Sequence, residues 1–273
     1  MHVPEPVWLV PLGVVVGALG TLIGAGGGFL LIPVLLLVWP HEPSDAITSI
    51  SLCMVFFNAL SGSIAYARMK RIDWRSGALF AAATIPGAVL GAVVTGRLPR
   101  HAFDRLFGVA MVAGGSWLLL RARGRAAHAA HAPRPGEVHR VLVDADGTRH
   151  EWSYAPWVGV VLSVGVGFVS SLLGIGGGVV HVPALVYLLG FPTHVATATS
   201  HFILVWMALA GTGVHLARGV LQPELGRALW LGAGALGGAQ LGARLSQRVR
   251  GAWIIRGLAI GLVLVGLRIL LLG

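Results

Sequence analysis

The residues of this chain best equipped to hold a small anion come twice. Gly24-Ala25-Gly26-Gly27-Gly28 runs into Phe29-Leu30-Leu31-Ile32-Pro33, and 150 residues on Gly174-Ile175-Gly176-Gly177-Gly178 runs into Val179-Val180-His181-Val182-Pro183. Each glycine costs a helix about 1 kcal/mol relative to alanine, so a triple run reads as a backbone bend with free N–H groups. After each bend, the next apolar run opens on hydroxyls: Thr48, Ser49 and Ser51 in one case, Thr197, Thr199 and Ser200 in the other. A helix start offers unpaired N–H groups and the positive end of the dipole, and neighbouring hydroxyls add donors. Together they can hold a dehydrated anion without a full counter-charge. A phosphate-binding P-loop is excluded, since neither glycine run is followed by Lys-Ser or Lys-Thr.

Two histidines join these clusters. His181 stands in the second glycine motif where Leu31 stands in the first, and His201 follows Ser200. Imidazole can donate to an anion or carry a proton near physiological pH, which makes both candidates for proton coupling. His194 and His215, nearer helix ends, read as neutral imidazoles bonded to carbonyls, and Asn58 and Gln240 as polar helix contacts. A divalent metal transporter with intramembrane histidine ligands is the alternative, although no acidic residue sits firmly inside a span to neutralise such an ion. An enzyme is disfavoured: Ser200 and His201 are sequence neighbours, about 100° apart on a helix and badly placed to bond to each other. The single cysteine, Cys53, rules out an intrachain disulfide or a multi-cysteine metal centre. No cofactor or resident metal is expected.

The elements that must position these groups are membrane helices. Of 273 residues, 56% are hydrophobic and 11% charged, and the mean hydropathy is +0.81, more apolar surface than a soluble core of this size needs. Apolar runs cover Val7 to Ile23, Phe29 to Trp39, Ala46 to Ala67, Gly77 to Thr95 and Phe103 to Leu120. The series then returns as Pro156 to Leu173, Val179 to Gly190, Val195 to Ala217, Leu225 to Leu245 and Trp253 to Leu272. The fold expected is an all-α polytopic membrane protein of two homologous repeats, residues 1–122 and 154–273. Each repeat is a glycine-broken helical pair plus three spanning helices, 8–10 helical segments in total. Small residues at Gly87, Ala88, Gly91 and Ala92, and at Gly237, Gly238, Gly242 and Ala243, suit close helix packing.

Residues 123–153 form a polar linker, in which alternating stretches around Asp146-Gly147 signal a β-hairpin. Its histidines, His128, His131, His139 and His150, read as those of a solvated segment. No basic flank, apolar core and small-residue cleavage site open the chain, so no cleaved signal peptide is expected.

The net charge of +10 would suggest nucleic acid in a soluble domain, but the basic residues lie between apolar runs and act as topology signals instead. Arg68, Lys70, Arg71 and Arg75 follow the third run, and Arg121, Arg123 and Arg125 the fifth, which puts both ends and the linker in the cytoplasm. In the second half the dense cluster, Arg244, Arg248, Arg250 and Arg256, falls one loop later. Inverted halves keep that cluster inside, so inversion is the topology expected; one kinked span in place of each broken pair would make the halves parallel. Arg97, Arg100 and Arg105 fit neither scheme cleanly.

These residues resemble a known family. The doubled Gly-x-Gly-Gly-Gly with its following proline, the Ala-Thr-Ser at 198–200 and the two-half layout are similar to the sulfite exporter TauE/SafE family, also called toluene sulfonate uptake permeases. The resemblance spans both halves and omits the linker. It implies a multi-pass secondary carrier of the bacterial inner membrane for sulfite, sulfonates, sulfoacetate or a similar small sulfur-containing anion, working within the lipid bilayer by alternating access. It carries Gly24, Gly26, Gly27, Gly28, Gly174, Gly176, Gly177, Gly178, Thr199 and Ser200 over as site residues. Ser49-Ile50-Ser51 departs from the Gly-Thr-Ser usual in the family. Whether the protein forms a homodimer is left open.

Overall fold

A computed structural model describes residues 5–121, 135–248 and 251–272. Ten helices and one hairpin make up the described chain. The first half holds α1 (Glu5–Ile23), α2 (Gly28–Val38), α3 (Ser44–Arg68), α4 (Trp74–Thr95) and α5 (Arg100–Arg121). The hairpin strands β1 (Val138–Val143) and β2 (Arg149–Tyr154) follow. The second half repeats the pattern as α6 (Pro156–Leu173), α7 (Gly178–Tyr187), α8 (Thr193–Ala217), α9 (Leu221–Ser246) and α10 (Gly251–Leu272). Linker residues His128 and His131, with Arg123, Arg125 and Arg250, lie outside the described residues.

Among the described residues five helices, α1, α3, α4, α6 and α8, are long and apolar enough to cross a membrane. The protein is an all-α multi-pass membrane protein. In α9, Glu224, Arg227 and Arg244 dilute the apolar sequence, and in α5 Arg100, Asp104 and Arg105 do the same. Helices α2 and α7 have 11 and 10 residues. At 1.5 Å per residue each rises only ~15 Å, about half of a ~30 Å hydrocarbon layer.

Both broken pairs break in the same way. Gly24, Gly26 and Gly27 have φ of 83°, 76° and 84°, and Gly174, Gly176 and Gly177 have 66°, 79° and 57°. These left-handed values, open to glycine and disfavoured for other residues, end α1 and α6 and let α2 and α7 leave in new directions. Pro33 and Pro183 each stand sixth in the short helix, where the missing N–H releases the carbonyl four residues earlier.

The halves are interlocked. α1 packs along α9 of the other half, and α6 along α4, while α3 and α8 meet at the centre. Glycines allow these approaches. A Cβ at Gly87 or Gly91 would strike the Val164 or Phe168 carbonyl oxygen, and one at Gly238 or Gly242 would strike that of Val14 or Ala18. Gly237 differs from the sequence expectation, since a Cβ there meets nothing within 4 Å.

The hairpin register pairs Val138 with Tyr154 and Val143 with Arg149. Its turn is tied by Asp144 Oδ1, which accepts from the N–H groups of Asp146 and Thr148 at 3.0 and 2.9 Å. The hairpin is docked rather than merely solvated. The Ala145 N–H donates to the Met69 carbonyl at 2.9 Å, Arg71 reaches Asp144 and Asp146, and the rings of Trp152 and Tyr154 lie 4.9 and 5.2 Å from Phe191. The solvated reading of His150 is therefore corrected: it sits 3.4 Å from the Asp144 carboxylate. His139 is more open and lies 3.9 Å from Glu151.

Candidate functional site

The two glycine breaks touch. A Cβ on Gly28 would lie 2.5 Å from the Gly174 carbonyl oxygen, and one on Gly178 would overlap that of Gly24. A Cβ on Gly26 would come within 3.4 Å of the Gly176 carbonyl oxygen, and one on Gly176 within 3.3 Å of that of Ala25. Gly24, Gly26, Gly28, Gly174, Gly176 and Gly178 thus form one crossing, because the absence of side chains lets two backbone bends meet at carbonyl distance, whereas Gly27 packs on Val16 and Gly177 on Met207. Both short helices begin there, bringing N–H groups that lack an intrahelical partner.

The hydroxyls stitch the crossing together. Ser51 Oγ donates to the Gly174 carbonyl at 2.6 Å, and Ser200 Oγ to that of Gly24 at 3.4 Å. Methyl and Cα atoms of Thr48 and Thr197 pack against Gly174 and Gly24 in the same reciprocal sense. Ser49 and Thr48 bond back to the Ala46 and Asp45 carbonyls at 2.7 and 3.1 Å, their common use inside a helix. Thr199 accepts the Asp73 N–H at 3.1 Å. One sequence expectation is corrected here. Helices α3 and α8 start at Ser44 and Thr193, so these hydroxyls sit a turn or more inside their helices, and the free N–H groups belong to α2 and α7.

His201 is fully buried and its Nε2 lies 3.2 Å from Thr21 Oγ1. Thr21 gives its one hydroxyl proton to Asn58 Oδ1 at 2.6 Å, so the neutral histidine must donate from Nε2. Its Nδ1 has no partner among the described residues. In this arrangement His201 offers a lone pair, not an N–H, to whatever approaches. Asn58 Nδ2 in turn donates to the Gly26 carbonyl at 2.8 Å, Tyr66 donates to the Thr21 carbonyl at 2.7 Å, and its ring stands edge-on to His201 at 5.5 Å. A polar chain therefore runs from His201 to the first glycine break. His181 is separate: its Nε2 meets Ser163 Oγ at 3.1 Å, within the α6–α7 pair.

Sequence reasoning passed over several of these groups. Thr21 and Ser171 each stand three residues before the first glycine of their break, a matched hydroxyl that could have been read from the repeat. In the first half, Thr21 and His201 press on Gly62; in the second, Ser171 and Leu52 press on Gly211. Ser170 and Ser171 are fully buried, and neither Oγ finds a partner among the described residues. Asn58 is a helix contact that also braces the break, since it joins α3 to Thr21 of α1 and donates to the Gly26 carbonyl, and Gln240 is a helix contact, donating to Ser61 at 2.8 Å. Every side chain named at the crossing is uncharged. Among the described residues no three His, Cys, Asp or Glu side chains gather as metal ligands.

The site is wired to the hairpin. Asp73, bonded through its N–H to Thr199, caps α4 by accepting from the Ser76 N–H at 3.3 Å and from the Ser76 hydroxyl. Ser76 Oγ also meets the Tyr154 hydroxyl of β2 at 2.5 Å.

A model of the sulfite exporter TauE/SafE family matches residues 9–269. The probable membrane transporter protein YunE of Bacillus subtilis (strain 168) is 34% identical over 269 residues, 96% of this chain and 96% of that one. A probable membrane transporter protein of Xylella fastidiosa (strain 9a5c) is 30% identical over 258 residues, 94% of this chain and 90% of that one. The probable membrane transporter protein MJ0441 of Methanocaldococcus jannaschii is 25% identical over 208 residues, 74% and 69% of the two chains. No solved structure matches.

Proposed function

The chain belongs to the sulfite exporter TauE/SafE family and is a membrane transporter, and from that premise we propose that it is a secondary carrier for a small sulfur-containing oxyanion such as sulfite, a sulfonate or sulfoacetate. The observation that carries this reading is the reciprocal crossing, in which a hydroxyl from each half holds the opposite glycine break. Non-helical backbone at membrane depth is tolerated where protein buries it or where it lines a cavity. Here two such segments start two half-length helices at one point, the arrangement of central carrier sites.

The substrate site opens between the breaks. Gly27, Gly28, Gly176 and Gly177 supply backbone N–H groups, while Gly24, Gly26, Gly174 and Gly178, whose N–H groups are held by the Thr21, Gly20, Ser170 and Gly176 carbonyls, shape the two bends. Ser51, Thr199 and Ser200 supply hydroxyls once the halves part, and Thr48 and Ser49 shape the α3 wall. The crossing as it stands is occluded, because Ser51 and Ser200 are spent on carbonyls. Transport exchanges these bonds for bonds to the anion, and each exchange moves one half against the other, with the repeats inverted across the membrane. His201 is placed to take a proton on its unpaired Nδ1 as the anion arrives, which couples transport to the proton gradient; His181 is the second candidate.

The test is flux. Purified protein in proteoliposomes is given sulfite, sulfoacetate, taurine, carboxylate analogues, nickel or zinc, with and without a pH gradient. Uptake of one sulfur anion that fails in Ser200→Ala supports the reading. Transport of metal ions, or of carboxylates as readily as sulfur anions, removes it.

A further inference from the structure

Away from the crossing, a cavity of about 380 Å³ lies between the α3–α4 turn and the hairpin, with Asp73, Trp74, Arg75, Arg140, Val141 and Trp152 in its wall. Its polar groups are incompletely used. Trp152 is 3% exposed, yet its Nε1 has no hydrogen-bond partner among the described residues, and neither has Arg140 Nε. Arg140 stands 3.6 Å from Asp73 Oδ2, an ion pair too long for a hydrogen bond, because that carboxylate is already engaged by Ser76. Arg75 is exposed. The wall thus holds two guanidinium groups against one carboxylate, and a buried indole N–H with nothing to donate to.

The place of the cavity narrows the ligand. Trp74 is the first residue of a candidate membrane span, and it is 52% exposed, with Val141 beside the cavity 47% exposed. A half-exposed tryptophan at the end of a span marks the headgroup level of a bilayer. Arginine at that level binds phosphate by charge and by its forked donors. We propose that this cavity binds the phosphate headgroup of an acidic phospholipid, with Arg75, Arg140 and the Trp152 N–H on the phosphate oxygens and Trp74 against the start of the acyl chains. A soluble oxyanion fits the donors but has no use for the half-exposed apolar rim.

The experiment compares purified protein in phosphatidylcholine nanodiscs with protein in discs containing phosphatidylglycerol, read by thermal unfolding and by lipid retained in native mass spectra. Wild type retains phosphatidylglycerol and unfolds at a higher temperature with it. Arg75→Gln and Arg140→Gln each weaken retention about fivefold, the worth of one arginine near an anionic surface, and Trp152→Phe, which keeps a ring but drops the N–H, weakens it less. Arg149→Gln, an exposed arginine paired with Glu151, leaves retention unchanged. Arg75→Gln separates binding from hairpin docking, since Arg75 makes no hydrogen bond or ion pair among the described residues. Equal retention by wild type and Arg75→Gln/Arg140→Gln overturns the proposal. So does equal stabilisation, with the same arginine dependence, by inorganic phosphate or glycerol phosphate in phosphatidylcholine discs, because the site would then take a free anion.

Discussion

The Ser51 hydroxyl of the first half donates to the Gly174 carbonyl of the second at 2.6 Å, and Ser200 makes the reciprocal bond to Gly24 at 3.4 Å. The two bonds are alike in position and unequal in length. Ser51→Ala strands a buried carbonyl and costs about 1–3 kcal/mol, whereas Ser200→Ala costs less. Thermal unfolding in detergent checks the order. A larger loss in Ser200→Ala would mean that the second-half bond is the stronger one.

Glycine at the crossing is required by contact as well as by backbone angle. Gly178→Ala sets a methyl against the Gly24 carbonyl and destabilises by about 1–3 kcal/mol, as overpacking does. Gly237→Ala, in open space on α9, is neutral or stabilising, since alanine is the better helix former by about 1 kcal/mol. Unfolding of the two variants side by side decides it.

Thr21, Asn58 and His201 act as a unit. Thr21→Val and Asn58→Leu, made singly and together, should show a coupling energy above about 0.5 kcal/mol, as bonded neighbours do. His201→Gln keeps a donor for Thr21 but removes the titrating ring. Its expected effect is flux that survives and no longer follows the pH gradient; flux that still tracks the gradient would move proton coupling to His181 or elsewhere.

Asp144 links the hairpin to pH. Burial raises its carboxyl, but the Thr148 N–H, His150, the Asp146 N–H and Arg71 outweigh it and hold the group below its ordinary value of 3.8. A depressed carboxylate stabilises the fold above its unfolded pKa, and the stabilisation is lost as pH falls through the lower folded value. Hairpin docking, read by limited proteolysis, should therefore be unchanged from neutral pH down to about 4 and be lost below. Asp144→Asn should start weaker and lack the acid step.

Inversion has a direct readout. In a Cys53→Ala background, single cysteines at Lys70 and Gln222, after α3 and after α8, should label from opposite faces of the membrane. Labelling from the same face would make the halves parallel.

Much of the fold was legible in the sequence. The apolar runs end within a few residues of the helices, since chain entering a bilayer must satisfy its own backbone and helix is the local way to do so. The duplicated Gly-x-Gly-Gly-Gly announced two matched breaks, because three glycines leave a helix little reason to continue. Asp146-Gly147 announced the hairpin, because a tight turn needs a residue with positive φ, and Gly147 has 81°.

What the sequence could not contain is which distant atoms meet. That the breaks touch, that α1 pairs with α9 and α6 with α4, and that Asp73 bridges Thr199 to the hairpin are consequences of packing between segments more than 50 residues apart. The same holds for the hydroxyls. Thr48 and Ser51 look alike in sequence, yet one turns back to its own helix and the other crosses to the opposite half. Side-chain direction around a helix is set by its neighbours, and only the tertiary structure supplies them.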